Sequence, residues 1–241
     1  MLQLQYLTHH STTTSSSLTS PSSFVALINA RGTGEPQGQS AGFRTMNSNI
    51  QSQVPGGKIY NVVYPAGSNQ DSSAGTRDIV NKVQTTLASN PNECFILEGY
   101  SQGAAATVNA LSQLTGANMN AVKGVFLIGD PEHKSGLACN VDTMGGTTTR
   151  NVNGLSAFGS NGIPSNWVSK SLDVCKYVSL LSLFGSCHRS NFETDDTMQG
   201  DGVCDTTHGY GINQAHLSYP SDANTQNLGT KYVVGKLQGT S

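Results

Sequence analysis

Four apolar runs recur along the chain, FVALINA at 24–30, KIYNVVYP at 58–65, CFILEGY at 94–100 and VKGVFLIG at 122–129, with helix-length stretches at 39–53, 74–88 and 103–114 between them. Each run is closed by Gly, Pro or a polar turn, as a buried strand would be. LDVCKYV at 172–178 is a weaker fifth, and SDANTQNLGTKYVVGKL, after Tyr219, offers an Asp as N-cap and an amphipathic pattern for a closing helix. Strands alternating with helices predict an α/β fold, a parallel sheet covered on both faces.

At 241 residues and 25.3 kDa the chain supports one sizeable core, and nothing in it demands a second domain. Charged residues are 12% of the total, with 13 basic against 15 acidic, which excludes a basic surface for nucleic acid or anionic lipid and suits a neutral or apolar partner. No run reaches the ~18 apolar residues of a membrane span. Residues 1–23 hold 12 Ser and Thr and no continuous apolar stretch, so they read as a disordered leader rather than a signal peptide. Five cysteines and a Ser-, Thr-, Gly- and Asn-rich composition lean towards an extracellular protein, although no N-glycosylation sequon occurs.

Directly after the strand CFILE stands GYSQG, Gly99 to Gly103, and then the helical AAATVNALSQL. A serine at a sharp strand-to-helix turn, flanked by glycines because Cβ atoms would clash there, is a nucleophile elbow, and Ser101 is the candidate nucleophile. The helix behind it stabilises negative charge developing nearby. Serine needs a base and an acid to orient that base, which in this architecture follow in the order acid, then histidine. His133 comes too early in the chain, leaving His208 and His216 as bases after the last strand, with Asp130, Asp201 and Asp205 as rival acids. The backbone N–H of Gln102, next to the nucleophile, is one oxyanion donor. ARGTGE, at the end of the first strand, is no dinucleotide loop, because Gln37 stands where the last glycine of G-x-G-x-x-G belongs. With no Walker lysine, H-E-x-x-H or paired C-x-x-C, neither cofactor nor metal is expected.

LINARGTGEPQGQ, LEGYSQGA, DGVC and HLSYPSD, in that order and spacing, resemble the cutinase family of serine esterases, closest to its cutinase-like, polyester-degrading branch. The likeness runs from Phe24 to the C-terminus outside one segment. It implies a three-layer α/β-hydrolase-type fold with a central five-stranded parallel sheet and no large lid, in a secreted monomer. It selects Asp201, three residues before a cysteine, as the acid and His216 as the base, and makes Asp130 and His208 turn and loop residues. It adds Thr33 to the oxyanion hole, Ile212 and Leu217 to the substrate walls, and a Cys175–Cys204 disulfide. The activity implied is hydrolysis of cutin-like polyesters and of short- to medium-chain esters through an acyl-enzyme. An acetylxylan esterase is the nearest enzymatic alternative, and a non-catalytic binding protein is the reading from a different class.

Two departures stand out. The cysteine that the family places before the first strand, as partner to Cys94, is absent, with Ser22 and Ser23 in that region. Relatives separate the cysteines matching Cys175 and Cys204 by about six residues; here 28 intervene, an excess of 22. Residues 178–199 therefore read as an insertion in the domain spanning 24–241. Cys175, Cys187, His188 and Asp195 match no common zinc spacing. The segment is either an apolar flap or a translated intron, and the second is favoured. Val178 supplies a GT and Gln199 can supply an AG at the borders, and excision leaves LDVCKYGDGVCD with the shorter spacing restored.

Overall fold

A computed structural model of the chain describes residues 25–177 and 200–239. The expectations for 1–23 and 178–199 lie outside the described residues. The strands are β1 (Val25–Ala30), β2 (Lys58–Asn61), β3 (Cys94–Tyr100), β4 (Val122–Ile128), β5 (Asn140–Val141) and β6 (Ser171–Val174). They form one sheet in the order β2-β1-β3-β4-β6-β5, parallel at every pairing. The helices are α1 (Arg44–Gln53), α2 (Ser73–Ser89), α3 (Gln102–Leu111), α4 (Gly116–Ala121), α5 (Gln214–Leu217) and α6 (Ala223–Gln238).

The side-chain alternation of the central strands builds two cores, one on each face. Ala26, Ile28, Phe95, Leu97, Val125 and Leu127 pack with Ile79 and Val83 of α2 and Val108 and Leu111 of α3. Leu27, Ile96, Phe126 and Ile128 meet Met46 and Ile50 of α1 and Val233 of α6 on the other side. The result is the expected three-layer α/β-hydrolase-type arrangement. The sheet has six strands rather than the five implied, because the two-residue β5 adds to the edge of β6.

Other boundaries also moved. β2 stops at Asn61 although the apolar run continues to Pro65, because the carbonyls of Val62 and Tyr64 turn to the buried Arg31 guanidinium instead of a neighbouring strand. Helix α4 had no counterpart in the sequence pattern. The closing helix α6 is capped as expected, with Asp222 accepting the N–H of Asn224 at 3.0 Å, and it ends at Gly239 in the left-handed conformation.

A buried carboxyl interrupts the central strand β3. Glu98 of β3 is fully buried, and its Oε2 accepts the amides of Asn29 and Asn47, each at 2.9 Å. Its Oε1 has no hydrogen-bond partner among the described residues.

Candidate active site

The direction of strand order reverses between β1 and β3, since β2 lies to one side and β4 to the other. In open parallel sheets the crevice beyond the carboxyl ends at such a point is where ligands bind. The turns after β1 and β3 carry Thr33 and Ser101.

Ser101 joins β3 to α3 with φ 54° and ψ −120°, an unfavourable conformation for a residue with a side chain. The flanking glycines are required by space. A Cβ on Gly99 would lie 2.6 Å from the Cα of Ala104, and one on Gly103 would lie 2.1 Å from the carbonyl oxygen of Ala30. The second contact brings the end of β1, and with it the turn holding Thr33, against the start of α3. Gln102 opens that helix, so its N–H has no carbonyl one turn back to accept it.

The Ser101 Oγ lies 2.9 Å from Nε2 of His216, whose Nδ1 lies 2.9 Å from both carboxylate oxygens of Asp201. All three side chains are buried. The carboxylate holds the imidazole proton on Nδ1 and leaves Nε2 to accept from the serine hydroxyl. Gly129, at the end of β4, makes this approach possible: a Cβ there would stand 2.7 Å from His216 Cε1 and 2.9 Å from Asp201 Oδ2.

Each member has its own support. His216 lies in α5, whose N-cap Asn213 accepts the His216 N–H at 3.0 Å and donates its amide to Gly200 O at 2.9 Å. This one side chain ties the base to the loop carrying the acid. Tyr100 donates its hydroxyl to the His216 carbonyl at 2.8 Å, with its ring 5.3 Å from the imidazole. Asp201 donates its N–H to Lys176 O at 2.8 Å and accepts from Val203 N–H at 2.9 Å and from the Tyr219 hydroxyl at 2.7 Å. The Cys175–Cys204 disulfide, with Cα atoms 5.7 Å apart, closes the same junction.

The turn carrying Thr33 is held from below. The Glu35 carboxylate accepts the N–H groups of Gly32 and Ala41, both at 2.6 Å, and the Ser40 hydroxyl at 2.7 Å. The Arg31 Nε–H reaches the Glu35 carbonyl at 2.8 Å. The Thr33 hydroxyl meets the Gln70 side chain at 3.1 Å, in a loop fixed by the Gly34 N–H on Ala66 O and the Gln102 amide on Gly67 O. Among the described residues, Ala66 and Gln70 join Ser101 as the non-glycine residues with positive φ, so backbone strain gathers around one spot.

The rival residues fall elsewhere. His133 pairs with Asp173 at 2.7 Å, and its other nitrogen meets Thr149 O at 3.0 Å; burial opposes its charge, but the Asp173 carboxylate and these hydrogen bonds outweigh that and push it up to about 9. Asp130 is buried in the same cluster, where burial and then the Asp173 charge push its carboxyl well above the usual range. Asp205 pairs with the partly exposed His208 at 2.7 Å. Three His–Asp pairs thus exist among the described residues, and only that of His216 has a serine hydroxyl on its free nitrogen.

Ile212 and Leu217 are 55% and 56% exposed, so neither is a core contact, and with Tyr210 at 86% they give the His216 loop an apolar outer surface. Among the described residues no group of His, Cys, Asp and Glu is arranged to hold a metal ion, and no helix is long and apolar enough to cross a membrane. Glu35, Tyr100 and Tyr219 lie inside LINARGTGEPQGQ, LEGYSQGA and HLSYPSD, but the sequence assigned them no role; Asn213, outside these motifs, carried only a local signal, an N-cap residue type just before a helix.

The family model described as Cutinase matches residues 21–237. A solved structure described as a novel cutinase-like protein from Cryptococcus sp. is 58% identical, with a TM-score of 0.79 over 90% of this chain and 97% of that one. The curated Carboxylesterase Culp1 of Mycobacterium tuberculosis is 36% identical over 115 residues, 46% of this chain and 53% of the relative. The chain therefore spans about half the length of the curated relatives it matches. The catalytic core domain of acetyl xylan esterase from Trichoderma reesei shares the fold at 21% identity, with a TM-score of 0.65 over 90% of this chain and 100% of that one.

Proposed function

Because the chain belongs to the cutinase family, we propose that it is a secreted serine esterase that hydrolyses carboxylic ester bonds of cutin-like polyesters and of short- to medium-chain esters. The observation that carries this reading is the continuous line from Ser101 Oγ through His216 to Asp201, with every step at 2.9 Å and the serine on a strained turn.

In this reading Ser101 Oγ attacks the ester carbonyl while His216 Nε2 takes its proton, and Asp201 stabilises the imidazolium. The carbonyl oxygen becomes an oxyanion that accepts from the N–H of Gln102 and from the N–H and O–H of Thr33. Collapse expels the alcohol, which receives the proton from His216. Water, activated by the same histidine, then releases the acid from Ser101. Ile212 and Leu217 offer the apolar parts of the substrate a surface beside the base, and the small net charge of −2 sets up no strong field against a neutral polymer.

The reading as a non-catalytic binding protein required the inserted residues to displace Asp201. The Asp201–His216 contact counts against that.

Hydrolysis of a nitrophenyl butyrate tests the chemistry. Ser101→Ala and His216→Ala should each lower kcat by roughly 10⁴- to 10⁶-fold, with little further loss in the double variant, because members of one catalytic unit are not additive. Losses that multiply would refute the assignment. Release of hydroxy acids from a polyester film, against acetate from acetylated xylan, separates the polyester reading from the xylan one.

A further inference from the structure

The hydroxyl of Tyr219 sits where the acid, the disulfide and the end of β6 meet. It donates to Asp201 Oδ2 at 2.7 Å and accepts the Lys176 N–H at 2.9 Å, while Cys204 Sγ lies 3.7 Å away. Its single proton has two other acceptors in reach, Val174 O at 3.5 Å and the disulfide sulfur of Cys204 at 3.7 Å, both far longer contacts. The ring is fully buried, 6.2 Å from the His216 ring and nearly perpendicular to it, and 5.9 Å from that of Tyr100.

We propose that Tyr219 is a positioning residue of the catalytic unit: through its O–H bond to Asp201 Oδ2 it fixes the carboxylate towards His216 and sets how tightly the imidazole holds its proton. The proposal rests on the triad reading above. Nδ1 of His216 is equidistant from the two carboxylate oxygens, so His216 alone does not fix which oxygen faces it. Val203 N–H on Oδ1 and Tyr219 O–H on Oδ2 hold one oxygen each. A donor on a carboxylate also draws off charge. The Asp201–imidazolium pair is then less stabilised than with a bare carboxylate, and His216 releases its proton more readily.

The phenol suits this task. Burial first, then the Asp201 charge and hydrogen bond, push its ionisation far above the ordinary tyrosine range, so it remains a donor at any pH at which an esterase works. The Lys176 N–H on the phenol oxygen polarises the O–H further. Among the described residues, and apart from Tyr219, the titratable side chains nearest the pair are Tyr100 of β3, whose hydroxyl is bound to the His216 main chain, and Asp205, whose N–H bonds the Asp201 carbonyl and whose carboxylate pairs with His208. The other charges nearby are committed elsewhere, Glu35 to its three donors and Lys176 to Asp222 at 2.8 Å.

The test uses the acid limb of the kcat/KM profile on a soluble nitrophenyl ester, which reports protonation of the base in the free enzyme. Tyr219→Phe removes one oxygen and keeps the ring. It should move the acid limb to higher pH by about half a unit or more and lower kcat roughly tenfold, with KM within about twofold, since the bond acts on the reacting groups and not on the substrate. Replacing Tyr219 with 3-fluorotyrosine, a more acidic phenol and a stronger donor, should move the limb the other way. That arm survives even if Tyr219→Phe folds poorly, because the hydroxyl is kept. A purely structural tyrosine would lower the melting temperature and leave both limbs in place; unshifted limbs, with Ser101→Ala inactive, overturn the proposal. Activity surviving in Ser101→Ala would instead overturn the triad reading beneath it.

Discussion

Gly129→Ala places a methyl group where the acid and the base converge. The built Cβ lies 2.7 Å from His216 Cε1, 2.8 Å from Nδ1 and 2.9 Å from Asp201 Oδ2. Carbon contacts relax at about 3.5 Å or more, so the imidazole must retreat by roughly 0.8 Å or more. It has no slack to do so. Nε2 is 2.9 Å from Ser101 Oγ and Nδ1 is 2.9 Å from the carboxylate, so the shift stretches at least one of these bonds beyond hydrogen-bond length. A misplacement on the order of 1 Å costs about 10²-fold in rate, and kcat should fall by about that factor. The backbone adds a separate effect, because φ is +59° at this position and alanine there costs about 1–2 kcal/mol of stability. Gly116→Ala serves as the reference. Its φ is +55° and its Cβ would meet nothing within 4 Å, so it should lose comparable stability and keep its rate. Rates on nitrophenyl butyrate, normalised by titration of the active serine with a phosphonate, and thermal melts of both variants separate the two effects. A folded Gly129→Ala enzyme with kcat within about threefold of the parent would refute this account of the site.

Glu98 should make stability depend on pH. Burial pushes its carboxyl up to about 7, with the Asn29 and Asn47 amides opposing. Being raised above the unfolded value, it contributes stability fully at pH below about 4.5 and loses it as pH rises to about 7, so relative to Glu98→Gln the parent should weaken by about 3 kcal/mol across that window and stay flat above it. Urea unfolding at pH 4.5 and pH 8 measures this, and an equal gap between the proteins at both would refute it. Deletion of residues 178–199 should leave kcat/KM on a soluble ester within about threefold, because the Lys176 O to Asp201 N–H bond and the disulfide already hold the junction. Loss of activity on that ester would count against it; the intron reading separately predicts a mature messenger RNA without the 66 nucleotides encoding those 22 residues, and a transcript that keeps them counts against that reading.

The frame of the site was legible because it is local. A continuous apolar strand, GYSQG and a helix lie within about two dozen consecutive residues, and the glycines announce the tight contacts that Gly99 and Gly103 make. The partners of Ser101 were not legible from residue types alone. Chain order set His133 aside, but residue types did not decide between His208 and His216, and the resemblance chose; in the fold all three histidines sit against an aspartate, at 2.7, 2.9 and 2.7 Å for His133, His216 and His208. What separates them in space is the serine on the far nitrogen, a contact spanning 115 positions in the chain. The early end of β2 was hidden for a related reason, since it depends on Arg31 collecting carbonyls 31 and 33 residues away. The same holds for Tyr219, which lies within HLSYPSD in the sequence and reaches Asp201 only in the fold.

The bond from Asp201 N–H to Lys176 O makes the acid's position independent of how much chain runs between them. Were Tyr177 joined directly to Gly200, that bond would close a four-residue β-turn with glycine third. Each doubling of a flexible connection costs only about 0.6 kcal/mol in closure entropy. The junction is therefore a grafting port: a foreign module, such as a polymer-adhesive domain, spliced between Tyr177 and Gly200 would stand beside the candidate active site with little mechanical leverage over Asp201.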